Sequence, residues 1–79
     1  MIQVLLINMT RHYYEIILFW SSEDEAFIAE VPELPGCMAD GSTYQEALQN
    51  VEVIMQEWIK TAQELGRTIP EPKKRLIST

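Results

Sequence analysis

Two prolines three residues apart, the second followed at once by glycine, constrain this chain more than any other feature. They lie in the stretch 31–48, Val-Pro-Glu-Leu-Pro-Gly-Cys-Met-Ala-Asp-Gly-Ser-Thr-Tyr-Gln-Glu-Ala-Leu. Pro32 and Pro35 each fix their own φ and hold the preceding residue extended, and Gly36 permits a backbone angle that other residues resist. A strand entering at Val31 must therefore turn a corner, with apolar Leu34 tucked beneath it. Residues 37–39 have room for one short strand, and Asp40-Gly41 reads as a turn dipeptide. A helix opens next. Ser42 has Gln45 three residues on and Thr43 has Glu46, so both show capping-box spacing. Thr43 is preferred, because Tyr44 then begins the apolar face.

That helix is expected over 43–65. Tyr44, Ala47, Leu48, Val51, Ile54, Met55, Trp58, Ala62 and Leu65 keep i, i+3, i+4 spacing, and Gly66 is a natural stop. Upstream, 13–20 reads as a strand with Tyr14, Ile16, Leu18 and Trp20 on one face and Tyr13, Glu15, Ile17 and Phe19 on the other. The polar run 21–25 is a hairpin connection. A second strand over 26–31 places Phe27, Ala29 and Val31 opposite to Ile28 and Glu30. The fold class is therefore α+β: a small three- to four-stranded antiparallel sheet packed by one long helix, in the order β-β-β-α. Residues 69–72, Ile-Pro-Glu-Pro, lie extended at the sheet edge, and a short C-terminal strand would complete the set.

Two mismatches point to a neighbour. The first strand is apolar on both faces, whereas one helix covers one face. A helix of roughly 22 residues spans ~33 Å, against ~17–20 Å for a usual strand. Its overhanging end holds Trp58, Ile59, Ala62 and Leu65, so Trp58, Ile59 and Leu65 are the expected interface of a homodimer or higher oligomer.

The whole chain of 79 residues reads as a single domain. Residues 1–12 form an N-terminal extension and 73–79 a C-terminal tail. The apolar run 1–8 lacks the features of a signal peptide and is dispensable for the fold, since Met9 offers a second start. One cysteine and one histidine leave no disulfide and no metal cluster, and no cofactor is expected. The net charge of −6 suits a basic protein partner and disfavours direct contact with nucleic acid. No apolar run is long enough to span a membrane, which places the chain in the cytoplasm.

The motif set Val-Pro-x-Leu-Pro-Gly-Cys from Val31, Asp-Gly-Ser-Thr-x-x-Glu-Ala-Leu from Asp40, then Gly66 and Ile69-Pro70-x-Pro72, preceded by a Tyr-rich strand, resembles the HicB-like antitoxin family over residues 13–72. The resemblance implies a partial ribonuclease-H-like fold and a toxin-neutralising role. The partner it implies is a small, basic, mRNA-cleaving HicA-type toxin whose active surface is occluded. Many family members carry a separate DNA-binding domain, for which this chain has no room. By the same resemblance Pro32, Pro35, Gly36, Asp40, Gly41, Thr43 and Glu46 are scaffold.

The expected partner-binding surface is acidic: Glu23, Asp24, Glu25, Glu30, Glu33 and Asp40. Catalysis is not expected. A ribonuclease-H-like nuclease needs carboxylates converging on two metals, and consecutive acids in a hairpin do not converge. His12 has no orienting partner in the sequence, Cys37 reads as a small buried apolar group, and Lys73-Lys74-Arg75 is a solvated tail. An orphan domain acting as a DNA-binding or regulatory protein is the alternative, and a metal-dependent nuclease ranks behind it.

Overall fold

The structure, a computed structural model, describes residues 14–72. The expected readings for residues 1–13, His12 and Tyr13 among them, and for the basic tail 73–79 lie outside the described residues. Three strands and a helix follow in the order read from the sequence: β1 (Ile17–Ser21), β2 (Ala26–Glu30), β3 (Met38–Gly41) and α1 (Tyr44–Glu64). The sheet is antiparallel throughout with order β1-β2-β3.

The corner is built from two consecutive β-turns. The Leu34 N–H donates to the Val31 carbonyl at 3.1 Å, closing a turn with Pro32 at its second position. The Cys37 N–H donates to the Leu34 carbonyl at 2.9 Å, closing a second turn with Pro35 at its second position. Gly36 occupies the third position at φ +80°, the geometry of a type II turn. The Val31 N–H reaches the Cys37 carbonyl at 2.9 Å and ties the two ends together. Leu34 is fully buried under the corner, as the sequence implies, and Cys37 is buried too. Burial pushes the Cys37 thiol pKa up, which suits an inert packing role.

The corner also corrects the strand limits. A first strand over 13–20 is expected, yet pairing begins only at Ile17, opposite Glu30. Val31 is already committed to the corner, so the register of β1 with β2 stops at the Ile17–Glu30 pair. The Glu15 N–H donates to the Glu33 carboxylate at 3.4 Å. For the same reason the second strand ends at Glu30 rather than 31. The third begins at Met38 rather than 37 and runs through Asp40 and Gly41, which pair with Ile28 and Phe27. Asp40-Gly41 is therefore the end of a strand, and the chain reverses at Ser42-Thr43.

Gly41 faces α1 at close range. A Cβ built there would lie 2.5 Å from the Ala47 backbone nitrogen and 2.9 Å from the Glu46 carbonyl carbon. This absence of a side chain lets the helix start directly on the sheet. Thr43 is the N-cap, its hydroxyl accepting from the Glu46 N–H at 3.0 Å. The Glu46 carboxylate reaches one residue further back than a standard capping box. It accepts from the Ser42 hydroxyl at 2.7 Å and the Ser42 N–H at 2.5 Å. Asn50, two turns into α1, donates to the Asp40 carbonyl at 2.8 Å and fastens the helix to β3. At the other end Gly66, at φ +70°, forms a Schellman motif. The Arg67 N–H bonds the Ala62 carbonyl at 2.8 Å and the Gly66 N–H bonds the Gln63 carbonyl at 3.2 Å.

The core lies between α1 and one sheet face. It gathers Ala29, Val31, Leu34, Cys37, Ala47, Val51, Met55 and Ile59 with Tyr14. Phe27, Ile16, Ala39 and Ile69 pack against it. The helix overhang is filled in part by the chain itself, which corrects the expectation for Ile59. Ile59, expected at an oligomer interface, is 5% exposed and belongs to the core, and Ala62 is buried as well. The corner supplies Leu34 to this cluster, and the chain returning after Gly66 supplies Ile69. The Tyr14 hydroxyl donates to the Pro70 carbonyl, pinning that return to the start of β1. Trp58 is half-buried, and its indole N–H donates to the Pro35 carbonyl at 2.9 Å. Of the three expected interface residues only Leu65 is exposed.

Gly41→Ala should destabilise the fold by about 1–3 kcal/mol, because helix backbone must move to admit the methyl group. Its thermal midpoint should fall by more than that of Gly36→Ala, where strain arises from φ alone and no atom is met. A second expectation concerns acid. Hydrogen bonds from the Ser42 hydroxyl, then the Ser42 N–H, hold the Glu46 carboxyl below its ordinary range. The unfolded chain therefore binds more protons in acid, so this contribution is complete above the ordinary glutamate value of ~4.3 and is lost as pH falls through the lower folded value. Glu46→Gln should be less stable than the unmodified chain at pH 7, with the difference closing in more acidic melts.

Candidate protein-binding face

The sheet face away from α1 is the candidate site. Strand alternation and register decide its membership. Ile17 pairs with Glu30 and Glu30 with Met38; Phe19 pairs with Ile28 and Ile28 with Asp40. These six side chains share the face opposite to Phe27, Ala29 and Ala39, which turn toward the helix. Ile17, Phe19 and Met38 are exposed at 43%, 40% and 48%, while Ile28 is enclosed between its neighbours on the adjacent strands. An open hollow of about 490 Å³ lies here, lined by Phe19, Asp24, Ile28, Met38, Ala39 and Asp40. The apolar second face of the first strand, expected to need cover, is thus present and uncovered among the described residues.

The hairpin brings Asp24 to this hollow. Ser21 pairs with Ala26, leaving a four-residue loop. The Ser21 hydroxyl donates to the Asp24 carboxylate at 2.9 Å and accepts from the Asp24 N–H at 3.2 Å. Glu25 closes the loop at φ 52°, a left-handed conformation that favours glycine. Glu23 and Glu25 are exposed on the same loop.

The six expected acids are therefore divided. Asp24 and Asp40 line the hollow, and Glu30 stands on the same face between Ile17 and Met38. Glu23 and Glu25 project from the hairpin. Glu33 sits apart at the corner, beside Tyr14 and Glu15. Its charge, after burial itself, raises the Tyr14 hydroxyl pKa. The apolar members Phe19, Ile28 and Met38 were absent from the expected site. The alternation of the first two strands already placed Phe19 and Ile28 off the helix side, but only the register shows that Met38 joins them.

Other surfaces among the described residues are open as well. A groove of about 310 Å³ runs along α1, lined by Ile54, Glu57, Trp58, Thr61, Ala62 and Arg67. On the helix side of β1, Leu18 and Trp20 are exposed together with Tyr44. Phe27 links the two aromatics, edge-on to Trp20 with centroids 5.0 Å apart and tilted against Tyr44 at 4.2 Å. Among the described residues no three His, Cys, Asp or Glu side chains are grouped to hold a metal ion. No helix among them is long and apolar enough to cross a membrane.

A sheet backed by one helix, with the opposite face exposed and edged by carboxylates, defines a small α+β domain whose notable feature is a surface. The chain belongs to the HicB-like antitoxins of bacterial toxin–antitoxin systems, the family that matches residues 14–77. It is similar to UPF0150 protein ssl0259 of Synechocystis, with 35% identity over 57 residues covering 72% of this chain and 77% of that protein. It is also similar to UPF0150 protein Ta0767 of Thermoplasma acidophilum, with 32% identity over 62 residues covering 78% and 90%. No solved structure matches the chain.

Replacing Glu25 with glycine should relieve the left-handed strain in the hairpin and stabilise the chain by about 0.5–1 kcal/mol. Urea unfolding monitored by Trp fluorescence would measure this as a higher midpoint, whereas Glu25→Val should lower it.

Proposed function

We propose that this chain is the toxin-binding module of a HicB-like antitoxin and that it neutralises a small basic HicA-type toxin by covering the toxin's RNA-binding and catalytic surface. The observation that carries the reading is the family match across residues 14–77. The chemistry agrees with it. The net charge of −6 and the acids Glu23, Asp24, Glu25, Glu30, Glu33 and Asp40 give a field that attracts a basic protein. The domain acts by binding, with no hydrolytic step of its own, in the cytoplasm where mRNA is cleaved. Its three strands and long helix suit a partial ribonuclease-H-like fold. Self-association also belongs to this reading, with Leu65 and the exposed edge of Trp58 as its apolar contribution from the helix end.

The reading predicts that co-expression with a HicA-type toxin restores growth that the toxin alone arrests. In purified form, replacing Glu23, Asp24 and Glu25 with Gln, Asn and Gln should slow association severalfold and flatten its dependence on ionic strength, as screening of exposed charges requires. Association kinetics unchanged by the triple replacement at low and high salt would remove the hairpin from the mechanism.

A further inference from the structure

We infer that the open sheet face centred on Phe19, Ile28 and Met38 is the docking surface for a basic protein partner, which seats an apolar side chain in the hollow and sets Lys or Arg residues against Asp24, Glu30 and Asp40. The inference rests on the antitoxin reading and narrows it to one side of the molecule.

Among the described residues three exposed apolar surfaces are compared for that role, and their charge separates them. The groove along α1 has one acid and one base, Glu57 and Arg67, at its walls, so it selects no sign of partner. The Leu18, Trp20 and Tyr44 patch has no charged member. Of these three, the open sheet face combines exposed apolar area with carboxylates of one sign. Asp24 and Asp40 line the hollow beside Phe19 and Met38. Glu30 lies between Ile17 and Met38 in the strand register.

The same arrangement argues against a second copy as the occupant. Two such faces brought together would confront carboxylates with carboxylates while water is expelled, and like charges in a desolvated interface oppose association. A basic partner turns the same burial to advantage. Each carboxylate gains a charge-assisted hydrogen bond at the rim, while the apolar centre excludes water. The framework is also suited to docking, because the strands are held by regular pairing and β3 is fastened to the helix through Asn50. Phe19 and Met38 stand on paired strands, so the backbone beneath them is already ordered before binding. The acids of the hairpin outside this face, Glu23 and Glu25, then contribute to encounter rather than to contact.

The experiment compares Phe19→Ala and Met38→Lys with Val53→Lys. Val53 is 54% exposed on α1, and its replacement makes the same charge change as Met38→Lys away from the sheet. Each variant is checked for an unchanged circular dichroism spectrum and melting curve. Affinity is then measured for a panel of HicA-type toxins inactivated at their catalytic residue. The expected result is a loss of tenfold or more for Phe19→Ala and Met38→Lys, with Val53→Lys within twofold of the unmodified chain. If the unmodified chain binds a toxin and the face variants bind it as Val53→Lys does, the docking surface is wrong and the antitoxin reading stands. If no toxin binds the unmodified chain, the antitoxin reading falls and this surface with it. Sedimentation of the chain alone supplies one more outcome: a dimer that Met38→Lys dissociates and Val53→Lys preserves would assign the face to a second copy and overturn the proposal.

Discussion

The double turn at Pro32–Gly36 is the constraint on which the rest of the structure depends. Its backbone is closed by three hydrogen bonds, Leu34 to Val31, Cys37 to Leu34 and Val31 to Cys37. The prolines reduce the freedom of the unfolded chain at the positions where the folded one must bend, so the corner forms at a smaller entropic cost than an unconstrained loop. It drives Leu34 into the core and ends β2, and with it the pairing of β1. Through the Pro35 carbonyl it also captures the Trp58 indole four turns along the helix. Sheet, helix and corner are thus held by one small piece of backbone geometry.

The helix meets the sheet asymmetrically. Gly41 lets the first turn of α1 approach β3 closely, and Asn50 bonds the strand it has just left. Core residues from β2 and β3 lie under the helix, whereas Leu18 and Trp20 on β1 remain exposed on the same side. A single helix is about 10 Å wide, and strands lie about 4.8 Å apart, so one helix cannot cover three strands and their outer edge. The uncovered aromatic patch and the open opposite face follow from the same economy of parts. Among the described residues apolar surface is exposed on both sides of the sheet, and the side away from the helix is edged by carboxylates.

That division connects fold to function. The chain belongs to the HicB-like antitoxins, and the function proposed for it rests on a surface. The strand register assembles this surface from residues distant in sequence, with Phe19 on β1, Ile28 on β2, and Met38 and Asp40 on β3. The hairpin adds Asp24, held by Ser21. In the docking proposed for this face, the charged residues would attract and orient the partner at long range, and the apolar ones would hold it once water has left.

Local constraints were legible in the sequence. Strand alternation, the Thr43 cap, the Gly66 stop and the burial of Leu34 follow from rules that act within a few residues: pleat parity, capping spacing and proline stereochemistry. The motif spacing carried the family for the same reason, since Pro32, Pro35, Gly36, Thr43, Glu46 and Gly66 each serve a turn or a cap. Tertiary structure decided what depends on distant pairing. Ile59 looked solvent-facing because helix length was compared with strand length alone. It is buried because the corner and the returning chain at Ile69 fill the space beside it. Glu33 was grouped with the other acids by sequence proximity, but the double turn rotates it away toward Tyr14 and Glu15. Met38 joined the open face only when β3 took its register against β2. Register reverses the face of every residue when it slips by one, and no local rule of this chain specifies it. The packed core chooses it, by placing Ala39 and Gly41 beneath the helix and leaving Met38 and Asp40 outside.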